Sequence, residues 1–110
     1  MSFEVVFTAE ASVQALQIQD WIAERSFEGA IAWQKALWLA VGKLRERGSA
    51  FSLSAESHQF SEPLYQILFK TRRGFIYRGL FIVRDQTVFV VSVRGYGEDL
   101  VSPSDVVLPD

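Results

Sequence analysis

Between Leu64 and Arg94 the chain reads LYQILFK, TRRG, FIYRGLFIVR, DQ and TVFVVSVR, three runs dense in Val, Ile, Phe and Tyr parted by two short polar breaks. β-Branched and aromatic side chains pack well on a pleated surface, and short breaks holding Gly or Asp suit hairpin turns. The spacing predicts three consecutive antiparallel strands. Side chains alternate along a strand, so Phe75, Tyr77, Gly79, Phe81 and Val83 share one face of the middle run, and Ile76, Arg78, Leu80, Ile82 and Arg84 share the other. Arg78 thus sits between apolar neighbours, a costly place for a charge without an anion or hydrogen-bond partner. The stretch carries Lys70, Arg72, Arg73, Arg78, Arg84 and Arg94 against one acid, Asp85, a local charge of +5 in a chain whose net charge is −2. A basic meander on an acidic body is the feature that a functional reading has to explain.

Upstream, Phe3 to Phe7 is a short β-rich run ending at Thr8, a good helix N-cap. From Ala9 to about Arg25 the period turns helical, with Val13, Leu16 and Ile22 or Trp21 as its apolar positions. After a break at Ser26, a second helix spans about Glu28 to Arg47, where Ala30, Trp33, Leu37, Val41 and Leu44 form one stripe. Arg45 and Arg47 suit the negative end of its dipole, and Gly48 is placed as the C′ glycine. The two helices form an αα-hairpin against one face of the sheet. Trp33 reads as core. Trp38 lies off the stripe beside Leu39 and gives the helix more apolar surface than one face can bury, the mark of a partner surface or of a self-dimer through this helix. Residues 49–63 form a Ser-rich loop, long enough to suggest a functional or mobile segment. Residues 97–110 form an acidic, Pro-containing tail.

At 110 residues the chain holds a single core, so the expectation is one α+β domain over 1–110 in the order β-α-α-β-β-β, with an antiparallel sheet. It has no cysteine, which excludes disulfides, thiolate nucleophiles and Cys-ligated zinc, and nothing in the sequence calls for another metal or a cofactor. No apolar run approaches the roughly 18 residues of a membrane span, and MSFEVVF is not a leader, so no membrane contact and a cytoplasmic location are expected. The acidic balance argues against a whole-surface polyanion binder and confines any nucleic-acid contact to the meander. Register decides how the basic residues group. If Asp85-Gln86 is a two-residue loop with regular pairing, Arg78 pairs with Val93 and Arg94 faces the other way. A bulge or a three-residue loop brings Arg78 and Arg94 to one face.

FEVVFTAEA, IQDWIAERS, AIAWQKAL with AVGKL, and PLYQILFKTRRGFIYRGLFIV followed by VFVVSVRG occur in an order that resembles the RelE/ParE superfamily of toxins from type II toxin–antitoxin modules. The likeness covers nearly the whole chain and rests on the ordered sum of these segments, including the Tyr77-Arg78 and Val93-Arg94 pairs. It implies a toxin neutralised by a cognate antitoxin. RelE-like members cut mRNA on the ribosome, and ParE-like members poison DNA gyrase. The reading the resemblance favours is ribosome-dependent mRNA cleavage. The alternatives are gyrase inhibition without nuclease activity, and a toxin-fold binding protein that has lost toxicity.

The resemblance carries Arg78 and Arg94 onto positions that hold the RNA backbone and stabilise the transition state. Lys70, Arg72 and Arg73 fall where some members have basic residues, and Trp38 and Leu39 become the antitoxin contact. Where many nuclease members continue with His or a basic and aromatic cluster, this chain has Gly95-Tyr96-Gly97-Glu98-Asp99. Tyr96 takes the position of the His in one branch and is the proton-transfer candidate, with Glu98 as another base. A phenol titrating near 10 is a poor base without strong depression. His58, the one histidine, falls in the long loop and reads as structural. Lys70, Arg72 and Arg73 also have a plain reading as charges that keep a turn soluble and a sheet edge unpaired.

Overall fold

In a computed structural model, residues 2–110 are described. The elements are β1 (Glu4–Phe7), α1 (Ala9–Ala23), α2 (Phe27–Arg47), β2 (Tyr65–Phe69), β3 (Tyr77–Arg84) and β4 (Thr87–Gly95), with 3₁₀ turns at Ser57–Gln59 and Pro103–Asp105. The α+β order β-α-α-β-β-β is as expected. The four strands lie in the order β1-β4-β3-β2; the meander is antiparallel, and β1 joins its far edge parallel to β4. The sheet is therefore mixed rather than wholly antiparallel. The αα-hairpin between β1 and β2 is the crossover that returns the chain to the far edge of the sheet.

Both helices begin on side-chain caps: Thr8 accepts from the Ala11 N–H at 3.2 Å, and Ser26 accepts from the Gly29 N–H at 2.9 Å. α2 buries the expected row of Ala30, Trp33, Val41 and Leu44. α1 has a different phase from the expected one. Ala11 is buried and Ala15, Ile18 and Ile22 pack against the core, while Val13 and Leu16 face outward. Small alanines allow α1 to lie close to α2 and β4, and that close approach sets the phase against residue size.

Gly48 ends α2 as expected, but its backbone is right-handed, at φ −46° and ψ −34°. Glycine is needed there for space. A Cβ would lie 2.6 Å from Val88 Cγ2 and 3.1 Å from both the Leu44 carbonyl oxygen and Phe3 Cγ. At the β3–β4 turn Asp85 adopts φ 55°, a left-handed conformation that Asp tolerates better than β-branched residues do. Arg84 pairs with Thr87 across it.

The sheet is covered on both faces. Ile67, Phe69, Tyr77, Phe81, Val88, Val90 and Val93 meet Trp33, Ala40 and Leu44 on the helical side. Leu64, Leu80, Ile82 and Val91 meet Val101 and Val106 of the tail on the other, with Phe60 of the loop against them. The loop and tail read from sequence as polar segments thus form a second layer. The loop is tied to the edge of β2 by a Leu53–Tyr65 bridge, by Ser54 N–H to the Leu64 carbonyl at 2.8 Å and by Gln66 N–H to the Ser52 carbonyl at 3.0 Å. A Ser102–Asp105 capping box shapes the tail.

A methyl group at Gly48 has no free space and one at Gly97 has nothing within 4 Å. Gly48→Ala is therefore expected to cost about 1–3 kcal/mol in urea unfolding, and Gly97→Ala less than about 0.5 kcal/mol.

Candidate functional site

The β3–β4 register decides what the basic residues do. Pairing runs regularly from Arg84–Thr87 to Phe81–Val90, shifts between Leu80 and Phe81, and resumes as Leu80–Ser92 and Gly79–Val93. Val91 is the extra residue of a bulge in β4. Arg78 consequently stands opposite Arg94. The bulge has realised the arrangement that places both arginines on one face.

Arg78 is nonetheless not open to an outside anion. It is 3% exposed and makes a fork-to-fork pair with Glu56, which is wholly buried: Nη1 donates to Oε1 at 2.9 Å and Nη2 to Oε2 at 2.8 Å. Nη1 also donates to Gln66 Oε1 at 3.4 Å, and the Val101 N–H donates to Glu56 Oε2 at 3.1 Å. One carboxylate thereby joins the loop, β3 and the tail. Burial works to raise the Glu56 pKa, but the Arg78 hydrogen bonds, the Val101 N–H and the guanidinium charge together outweigh it and hold the pKa at about 2.

The same device recurs at the other end of the strand. Arg84, on the same face of β3, donates from Nε to Glu62 Oε1 at 3.1 Å and from Nη2 to Glu62 Oε2 at 2.8 Å. Its Nη1 donates to the Pro109 carbonyl at 2.8 Å. The hydrogen bonds from Arg84 hold the Glu62 carboxyl below its ordinary range. Sequence reasoning assigned neither Glu56 nor Glu62 a role. The available signal was arithmetic: two acids six apart in the loop match two arginines six apart on one strand face.

The open site lies where the sheet ends. A cleft of about 860 Å³ runs between α1 and the ends of β3 and β4, lined by Gln14, Gln17 and Trp21 from α1, by Phe75 and Ile76, and by Arg94, Tyr96 and Glu98. β1 stops at Phe7, opposite Val90, so the edge of β4 beyond it has no neighbouring strand. Gln14 Oε1 fills the gap, accepting from the Val93 N–H at 2.8 Å and from Ser92 Oγ at 3.2 Å. Arg94 is loosely held: its Nη2 lies 4.0 Å from Glu98 Oε1, and its buried Nε has no partner. Glu98 also accepts from the Gly95 N–H and shapes the Gly95–Glu98 turn. Burial, and then the charge of Glu98, raises the Tyr77 pKa. A second cavity of about 460 Å³ adjoins the first through Trp21, Phe75 and Tyr77, with Trp33, Arg25 and Arg73 in its wall. The Arg25 guanidinium lies 3.9 Å from the Trp21 ring centroid.

The structure therefore divides the expected site. Arg94 and Tyr96 share the larger cleft, Arg73 reaches the adjoining cavity, and Arg78 is held on the sheet face beneath the tail. Lys70 and Arg72 are exposed beside the β2–β3 turn and line neither cavity. Lys70, Arg72 and Arg73 form no ion pair among the described residues. His58 lies exposed on its 3₁₀ turn, with Nδ1 3.1 Å from the Ala55 carbonyl oxygen. Trp38 and Leu39 are both exposed on α2. Trp21 reads from sequence as an apolar helix position and Phe75 and Ile76 as strand positions, and Gln14 and Gln17 have no assigned role; all five line the cleft, with Phe75 and Ile76 ahead of β3, because helix and turn positions join a strand end only in the folded chain. No family model, curated protein or solved structure matches this chain.

The Glu56 pair sets an acid limit on stability. Its carboxyl titrates near 2 in the folded chain and near 4.5 when free of these contacts, so its contribution is complete above about pH 4.5 and is lost as pH falls towards 2. The contribution is roughly 3 kcal/mol. Urea unfolding across that window is expected to show the loss, and Glu56→Gln to remove most of the slope. At neutral pH, Arg78→Ala is expected to cost about 3–5 kcal/mol by stranding Glu56, while Arg78→Met with Glu56→Leu recovers most of that.

Proposed function

We propose that this chain is the toxin of a type II toxin–antitoxin module that acts in the cytoplasm by binding a protein target, in the manner of the gyrase-poisoning class, and not by cutting mRNA. The observation that carries this reading is the Arg78–Glu56 pair. Backbone cleavage by a 2′-hydroxyl needs donors around the phosphate as charge develops, together with an acid and a base. Arg78, one of the two arginines the resemblance assigns to that task, has Nη1 and Nη2 engaged with Glu56 and Gln66, and its Nε is buried without a partner. Freeing it requires lifting the loop and the tail off an apolar sheet face, which exposes Leu64, Leu80, Ile82 and Val91. Arg25, Arg73 and Arg94, of which Arg73 has no ion pair among the described residues, and the exposed Trp21, Phe75 and Tyr96 around the two cavities supply instead the mixture of aromatic anchors and arginines that protein interfaces favour. Trp38 and Leu39, exposed on α2, remain the antitoxin contact in this reading.

One observation favours the nuclease reading. Arg94, Tyr96 and Glu98 line one cleft together with Gln14 and Gln17, which gives a cation and two proton-transfer candidates a common cavity.

Induced expression in a bacterial host, with pulse-labelling of protein and DNA synthesis, separates the two. The binding reading expects a DNA-damage response with translation intact and toxicity retained in Arg94→Ala. A prompt fall in protein synthesis that Arg94→Ala abolishes would transfer the assignment to mRNA cleavage. Soluble, folded protein without arrest of either process would remove both.

A further inference from the structure

Three of the four large exposed apolar residues of α2 lie in line, and the fourth, Leu39, stands about 100° from Trp38. At about 100° per residue, Phe27, Ile31 and Trp38 fall within roughly 40° of one another, about a quarter to a third of a turn away from the buried row of Trp33, Val41 and Leu44. Phe27 is 73% exposed and Trp38 56%. The helix is thus apolar on two sides, and only one is covered. Gly42 continues the second stripe, and a Cβ built there meets nothing within 4 Å. The stripe offers bulk in its first half and middle, and a hollow near its end.

We propose that α2 pairs antiparallel with α2 of a second copy of this chain, with Ile31 of each copy against Trp38 of the other and Phe27 over Gly42. This register makes the stripe its own complement, as a two-fold interface requires. Charge selects the antiparallel direction. Glu28 is exposed near the start of α2, while Lys43, Arg45 and Arg47 are exposed near its end against the single acid Glu46. None of Glu28, Lys43 and Arg45 forms an ion pair among the described residues. Antiparallel pairing brings each Glu28 beside the basic end of the other copy and opposes the two helix dipoles, whereas parallel pairing stacks like charge on like. The two-fold axis passes beside Gln34 and Lys35. Gln34 and Lys35 flank the axis on opposite sides, each nearest its own counterpart, so the charge of Lys35 weakens the pair and its removal strengthens it.

The stripe is separate from the clefts beside β4, so an expression experiment that fails leaves the dimer in place; it shares Trp38 with the antitoxin contact of the toxin reading, so an antitoxin and a second copy would occupy that residue in turn. Sedimentation equilibrium over the micromolar to millimolar range tests it directly. A dimer is expected, with Ile31→Glu and Trp38→Glu each weakening it roughly a hundredfold while leaving the circular dichroism spectrum unchanged. Glu28→Lys and Arg45→Glu are each expected to weaken it, and the two together to restore it; Lys35→Gln is expected to tighten it. Because the chain has no cysteine, Gln34→Cys provides a clean geometric test. It is expected to give a disulfide-linked dimer on mild oxidation, while Ser104→Cys on the tail does not. A chain that stays monomeric up to millimolar concentration overturns the proposal. So does a dimer indifferent to Ile31 and Trp38, or a monomer whose stripe is covered only by the product of a neighbouring gene.

Discussion

The bidentate pair between Arg78 and Glu56 is the contact on which the rest of this structure depends. Two opposite charges with almost no exposure are tolerable only because nearly every polar atom finds a partner: both carboxylate oxygens take a guanidinium N–H, and one also takes the Val101 N–H. Ionisation of Glu56 favours the folded chain, yet against an apolar pair of the same volume the contact adds little net energy, and what it supplies is one fixed geometry. It selects which part of a Ser-rich loop lies against β3 and which residue begins the tail's path over the sheet. Arg84 and Glu62 repeat the device nearer the surface and fix the far end of the same layer.

That layer changes what the sheet can offer a ligand. A meander with helices on one side ordinarily leaves its other side open, and here that side carries Leu80, Ile82 and Val91 under Val101 and Val106. The basic face suggested by alternation is therefore an internal face. What remains open is the end of the sheet, where β1 has stopped, Gln14 substitutes for a strand and Arg94 is only loosely paired. The cations without partners lie along the β2–β3 turn beside the same opening. The open clefts and the exposed apolar residues accordingly concentrate at one end of the sheet and on the outer stripe of α2.

Much of the fold was legible because it follows from local periodicity. The three strands came from runs of β-branched and aromatic residues, and α2 came from Ala30, Trp33, Val41 and Leu44. The caps came from Thr8 and Ser26. Other features escaped for identifiable reasons. The phase of α1 followed close approach at Ala11 and Ala15 rather than the bulk of Val13 and Leu16. Gly48 serves clearance from Val88 and Phe3, neighbours far away in sequence. The direction of β1 depends on how the hairpin crosses the sheet.

Residue pattern alone implies an α+β domain with a basic meander and an anion for Arg78, because a charge flanked by apolar strand positions is untenable alone. The identity of that anion follows from the folded arrangement. One residue of bulge at Val91 set Arg78 opposite Arg94, and a carboxylate 22 positions earlier reached Arg78 before any outside phosphate. Register and long-range ion pairing depend on contacts that bring distant segments together, and no local pattern of residues encodes them.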